Sequence, residues 1–252
     1  MTSDRRKFNG MISSDWSECL APSGPFDFIA FSRPQLKPAL ARVFKQYTGN
    51  IISLGDAVEQ IQKLIPAPIS EKQMDACLDE SFATYPGVPE LIEWCRENDI
   101  LFMINTTGMI GYFQRVFFQK RLPRMTALSA NPMLRYPKQK SDPDFVYELF
   151  EIQDKAKNTQ SVAERFKISY ERIIIMGDSG GDGPHFQWGA QRGAFLIGSM
   201  TKPSLNRYCE KNGIVINLKF GLDYSRKAER DAQQEMRIDF MHLATAIEEV
   251  LG

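Results

Sequence analysis

Histidine is scarce in this chain, with two residues in 252. The four cysteines (Cys19, Cys77, Cys95 and Cys209) form no Cys-x-x-Cys pair. A zinc site built on imidazole and thiolate is therefore not expected. Reduced thiols in a cytoplasmic protein are the simpler reading. An excess of one charge is lacking too, because 31 Lys and Arg balance 31 Asp and Glu. Without a basic stripe, no nucleic-acid partner is expected. Long apolar runs are also missing. The opening Met-Thr-Ser-Asp-Arg-Arg-Lys leads into none, so neither a signal peptide nor a membrane span is expected. Internal repeats and low-complexity tracts are absent, and nothing in the sequence sets an oligomeric state.

Against that plain background one segment stands out. Residues 173–182 read Ile-Ile-Ile-Met-Gly-Asp-Ser-Gly-Gly-Asp. The apolar run has the character of a buried strand. The glycines after it allow a tight turn and close approach to a ligand. Asp178 and Asp182 then stand at the carboxyl end of a central strand, where open α/β sheets bind ligands. Two carboxylates about 4 Å apart repel by roughly 4 kcal/mol at an effective dielectric near 20. A hard divalent cation such as Mg²⁺ relieves that repulsion and takes such oxygen ligands.

Elsewhere, strand and helix patterns alternate. Strands are expected at Phe8–Ser14, Ile100–Ile104, Ile173–Met176, Ala194–Ile197 and Ile214–Leu218. Helices are expected at Glu90–Glu97, Tyr112–Lys120, from Pro143 to about Lys155 behind an Asp142 cap, Ser161–Phe166 and Phe240–Leu251. This alternation implies a parallel sheet covered on both faces. The stretch 21–84 departs from it. Leu40, Val43, Phe44 and Tyr47 share a helix face, as do Ala57, Ile61 and Leu64. Pro66 and Pro68 interrupt the pattern, and Ser70 caps a helix to about Phe82. The expected fold class is an α/β, Rossmann-like parallel sheet core (1–20 and 85–252) with a small inserted helical cap (21–84).

Polar residues follow three of the strands. They are Asp15-Trp-Ser-Glu-Cys19 after the first, Ile104-Asn-Thr-Thr-Gly108 at the second, and Gly177-Asp-Ser-Gly-Gly-Asp182 after the third. Lys140-Ser-Asp-Pro-Asp144 lies between the last two. Their order and spacing over roughly residues 8–200 resemble the haloacid dehalogenase-like superfamily of phosphohydrolases. The resemblance implies a nucleophilic Asp15 that forms an aspartyl-phosphate. It implies Mg²⁺ on Asp15, the Ser17 backbone carbonyl and Asp178, with Asp182 bound directly or through water. Thr106, Thr107 and Gly108 would hold phosphoryl oxygens together with Lys140, with Lys138 as the competing lysine. The expected partner is a small phosphorylated substrate.

The first motif departs from that family's phosphatases. They carry a second Asp two residues after the nucleophile, where this chain has Ser17, and Cys19 replaces a Thr. A serine hydroxyl has no pKa near 7 and makes a poor general acid. Glu18 is a candidate substitute. Relatives that begin Asp-Trp cleave phosphonates through a Schiff-base lysine, for which Lys45 and Lys63 are candidates. Carbon–halogen cleavage is another alternative, and a metal- and phosphate-binding pseudoenzyme a third. His185 reads as a helix-start residue, Trp16 as a buried wall, and the basic groups near 226–237 as a solvated face.

Overall fold

Strand β1 (Gly10–Ser14) lies at the middle of a seven-stranded, wholly parallel sheet in the computed structural model of the protein. The structure describes residues 6–24, 26–48, 51–65, 67–224 and 229–252. Pro25, Pro66 and the basic residues Arg226 and Lys227 lie outside that set. After β1 come four helices, α1 (Asp27–Ser32), α2 (Lys37–Thr48), α3 (Leu54–Leu64) and α4 (Glu71–Ser81). The alternating part follows: α5 (Val88–Glu97), β2 (Ile100–Met109), α6 (Ile110–Phe118), β3 (Ala127–Asn131), β4 (Phe145–Glu148), α7 (Asp154–Phe166) and β5 (Ile173–Gly177). It closes with α8 (Gly183–Ala190), β6 (Phe195–Ser199), α9 (Pro203–Lys211), β7 (Leu218–Phe220), α10 (Ala232–Glu235) and α11 (Leu243–Leu251).

The sheet order is β4-β3-β2-β1-β5-β6-β7. Progress along the sheet reverses at β1, so the crevice for a ligand opens at the carboxyl ends of β1 and β5. Alternate residues of each strand serve opposite faces. Ile12, Ile104 and Ile174 pack with α5, α6, α11 and the helical insert. Met11, Ile173 and Ile175 pack with α7, α8 and α9 through Val162, Phe186 and Leu205. The α/β class and its parallel sheet are as expected. No helix among the described residues is long and apolar enough to cross a membrane.

Several expected elements differ. The stretch after Pro143 is strand β4, not a helix: Phe145-Val-Tyr-Glu148 pairs with β3, and packing of its aromatic and β-branched residues outweighs the cap-like Asp142. The helix begins only at Asp154 and runs unbroken to Phe166, joining two pieces that were expected apart. Strand β3 carried no apolar alternation in Ala-Leu-Ser-Ala-Asn, yet it is fully buried between β2 and β4. The last strand starts at Leu218, and Ile214 and Ile216 instead pack on the sheet's second face.

Candidate active site

Ser14 sits opposite Met176 where β1 and β5 pair, so the chain leaves both strands side by side. The Asp15 N–H donates to the Met176 carbonyl at 3.0 Å. Asp178 emerges beside it, and a single 3-10 turn at Gly180–Asp182 folds Asp182 back. Oδ2 of Asp182 accepts the N–H groups of Asp178 (3.0 Å) and Ser179 (3.2 Å). The fold-back needs a residue without a side chain at 177, where a Cβ would lie 2.5 Å from Asp182 Cγ. One oxygen from each of Asp15, Asp178 and Asp182 falls within 4.8 Å of the others, and all three residues are buried.

The lysine that meets them is Lys155, in the first turn of α7. Its Nζ donates to Asp15 Oδ1 at 2.9 Å and to Asp182 Oδ1 at 2.6 Å. Lys155 is 2% exposed. Asn105 fixes the helix that carries it: Nδ2 donates to the Lys155 carbonyl (2.8 Å), Thr159 Oγ1 (3.0 Å) and Ser13 Oγ (3.1 Å). His185 Nε2 lies 2.9 Å from Thr159 Oγ1. Burial, followed by the Lys155 charge, holds the His185 imidazole down to about 3, so it stays neutral.

Lys140 and Lys138 do not join the cluster. Both are exposed on the crossover that returns the chain to the start of β4, and neither lines the cavity around Asp15. The cause is the β4 strand. It draws residues 138–144 back toward the opposite edge of the sheet, and α7 then brings Lys155 up to the carboxyl edge. Lys45 and Lys63 are exposed too and do not line that cavity; Lys63 is paired with Glu59.

A second lysine was not foreseen either. The Lys202 ammonium, at the start of α9, lies against the carboxylates of Asp178 and Glu18. Arg230 holds the other oxygen of Glu18, and its Nε donates to Glu235 at 2.9 Å. Tyr85 completes this group by donating to Glu235 at 2.6 Å. Glu18 itself has a positive φ of 59°, a left-handed conformation that is unusual for a residue with a side chain.

These neighbours set the protonation states. Burial lifts Asp15 above the usual carboxylate range against the pull of Lys155. Burial lifts Asp178 to about 8, with Lys202 opposing and Asp182 and Asp15 adding to the rise. Burial acts on Asp182 in the same sense, but Lys155 and two backbone N–H groups overcome it and hold the group low. Glu18 is likewise partly buried, yet Lys202 and Arg230 keep it below the ordinary range. Thus Glu18 stays ionised and is no proton donor.

The cavity around Asp15 has a volume of about 30 Å³. Ser17 and Thr107 line it, and the insert contributes Phe44 and Tyr47 from α2. Thr106 is fully buried, and its Oγ1 accepts the Gly108 N–H at 3.1 Å. The register of β2 against β3 shifts between Asn105 and Met109, and Thr107 within that stretch lines the cavity. Trp16 is a buried wall, 6.3 Å from Phe82 of the insert and 5.5 Å from Phe113 between ring centroids.

Asp15, Asp178 and Asp182 suit a hard divalent cation. Four carboxylates, with Glu18 included, meet two lysines here, while Arg230 is shared with Glu235. Burial is the main cause of the high pKa of Asp178, and the neighbouring Asp182 and Asp15 charges add to it. Oxygen donors of this kind are what Mg²⁺ takes.

Neither a family model nor a curated protein matches the sequence. Solved structures do match. A phosphoserine phosphatase held as a phospho-aspartyl intermediate analogue superposes with a TM-score of 0.67 at 13% identity, over 95% of this chain and 99% of that one. A substrate-bound phosphoserine phosphatase gives 0.61 at 14% identity, over 82% and 92%. A hydrolase of the haloacid dehalogenase family from Salmonella enterica serovar Typhi gives 0.61 at 17% identity, over 86% and 68%. The fold is that of the haloacid dehalogenase-like hydrolases.

Proposed function

We propose that this protein is a Mg²⁺-dependent phosphatase of small phosphorylated metabolites that works through an aspartyl-phosphate on Asp15. The observation that supports it most is the Lys155 bridge between Asp15 and Asp182 at 2.9 and 2.6 Å, with Asp178 on the neighbouring strand end. The same fold carries a phospho-aspartyl analogue in a phosphoserine phosphatase.

Asp15, Asp178 and the Ser17 backbone carbonyl would hold the cation. When bound, it neutralises charge on the phosphoryl oxygens. Asp182 accepts Lys155 on one oxygen and two backbone N–H groups on the other, so it anchors Lys155 and would reach the cation through a remaining lone pair or through water. The Asp15 carboxylate attacks phosphorus, and the bond from phosphorus to the substrate oxygen breaks. Lys155 stays protonated and offsets the negative charge that gathers on the phosphoryl group. Thr107 and the backbone around Thr106 and Gly108 supply further donors. Water then attacks the phospho-enzyme, releases phosphate and restores Asp15.

Proton delivery to the leaving oxygen is the weak step. Ser17 lacks a suitable pKa, and Glu18 is held ionised by Lys202 and Arg230. Esters with acidic leaving groups should therefore turn over best. Hydrolysis of p-nitrophenyl phosphate with Mg²⁺ tests this: it should vanish in Asp15→Asn and with a chelator, and rise in Ser17→Asp. Full activity in Asp15→Asn would rule the mechanism out. Binding of a beryllium fluoride phosphate mimic without turnover of any ester would instead favour a phosphate-binding module.

A further inference from the structure

Ser17 lines two cavities, and the second speaks to the alcohol. We propose, building on the phosphatase reading above, that the substrate is the phosphomonoester of a compact alcohol that bears no carboxylate. The first cavity holds the groups that would handle phosphorus. The second, also about 30 Å³, adjoins it at Ser17, where the ester oxygen would sit. An alcohol attached to a phosphoryl group on Asp15 has this chamber as its continuation.

The walls of the chamber are mostly apolar. Trp16 comes from the turn after β1, Phe28 from α1, Leu78 and Phe82 from α4 and its end, and Tyr112 and Phe113 from α6. Its uncharged polar side chains are the hydroxyls of Ser17, Ser23, Ser81 and Tyr112, the Cys77 thiol and the indole of Trp16, whose buried N–H has no hydrogen-bond partner among the described residues. The single charged residue among the described lining residues is Asp27, which is exposed. Its Oδ2 accepts the Gly24 N–H at 2.7 Å. No lysine or arginine lines the chamber among the described residues. Arg121 packs against Phe82 at 5.5 Å from its ring centroid but is paired with Asp79. Lys202, in the first cavity, is already engaged by Asp178 and Glu18.

An anion placed there meets electronegative ring faces and a like charge at Asp27, with no cation to offset its lost hydration. A neutral alcohol meets apolar contact and uncharged polar groups, the hydroxyls and the Trp16 N–H, that can hydrogen-bond to it. An ammonium group is drawn to both the rings and Asp27. The small volume limits the alcohol to a few heavy atoms while the insert is packed down as it is here.

The cleanest comparison is between phosphoserine and phosphoethanolamine, which differ only by the carboxylate. Ethyl phosphate and phosphoglycolate repeat the contrast without the ammonium. The two carboxylate-free esters should show kcat/KM at least about tenfold above their carboxylate counterparts. Phosphoserine turned over as well as or better than phosphoethanolamine, in an Asp15-dependent reaction, would overturn this assignment and leave the phosphatase reading standing. No Asp15-dependent phosphate release from any of these or from p-nitrophenyl phosphate would overturn both. Ser81→Lys places an ammonium at the chamber wall. It should raise the ratio of phosphoserine to phosphoethanolamine kcat/KM at least about tenfold, and an unchanged ratio would show that the alcohol lies elsewhere.

Discussion

Lys202 presses its ammonium against the Asp178 carboxylate, while its backbone N–H donates to the Asp178 carbonyl at 2.8 Å. One residue thus grips a metal-site candidate twice. Its charge partly satisfies a carboxylate that burial has lifted to about 8, and the same ammonium reaches Glu18. A tethered cation of this kind competes with a divalent ion for Asp178. Lys202→Met should lower the Kd for Mg²⁺ or Mn²⁺ at least about tenfold, a difference of about 1.4 kcal/mol. Calorimetric titration of the metal-free protein checks this. An unchanged Kd would mean that the ammonium swings aside at no cost.

Lys155 and Lys140 should behave oppositely. Lys155→Met removes the cation that bridges Asp15 and Asp182. Phosphate release should fall at least about 100-fold. Thermal stability should fall as well, since breaking a buried pair costs about 3–5 kcal/mol. Lys140→Ala and Lys138→Ala touch exposed side chains and should stay within about twofold of the parent in activity. An equal loss in Lys140→Ala would require the 138–144 loop to reach the site.

Asn105 does not line the cavity around Asp15 and acts on it through α7 and, at Ser13, through β1. Asn105→Leu leaves Ser13, Thr159 and the Lys155 carbonyl short of a donor, at a stability cost of about 1–3 kcal/mol. Urea unfolding measures that loss. Misplacement of Lys155 should lower kcat more than it raises KM. A stability loss with unchanged kcat would make Asn105 a purely structural residue.

His185 gives a pH dependence with a definite sign. Its pKa is 6.5 in the unfolded chain and about 3 in the fold, through burial and then the Lys155 charge. Between those values the unfolded state binds the extra proton, so this residue's contribution to stability is full above 6.5 and is lost as pH falls toward 3. His185→Gln should therefore show a shallower drop in Tm between pH 6.5 and 3 than the parent. Parallel curves would show that the imidazole can protonate in place.

Much of the sheet was legible because its inner strands are short apolar runs that end in glycine or a polar residue. β1, β2, β5 and β6 have that form, and the parallel topology follows from the helices between them. The β4–β3 side of the sheet was less legible. β4 is half-exposed and needs β3 beside it to be a strand. β3 is built of small residues with no period of its own. Within α7, a usable signal did exist: Lys155, Thr159, Val162 and Ala163 share the buried face, so the lysine stands in an apolar stripe. The polar run Asn158-Thr-Gln-Ser161 within the helix obscures that stripe in the sequence.

Sequence alone determined which acids stand at the strand ends. A residue just past a buried strand is placed by its own neighbours along the chain, so Asp15, Asp178 and Asp182 are legible in the sequence. Tertiary structure decided which cations face them. A lysine ends several bonds away from its backbone, and its position depends on what packs around the stem. Lys155 is drawn in by Asp15 and Asp182 from a helix that Asn105 holds, Lys202 by Glu18 and Asp178, and Lys140 is left in water. The second chamber at Ser17 exists only because the insert, α6 and the turn after β1 meet there, an encounter between segments far apart in sequence.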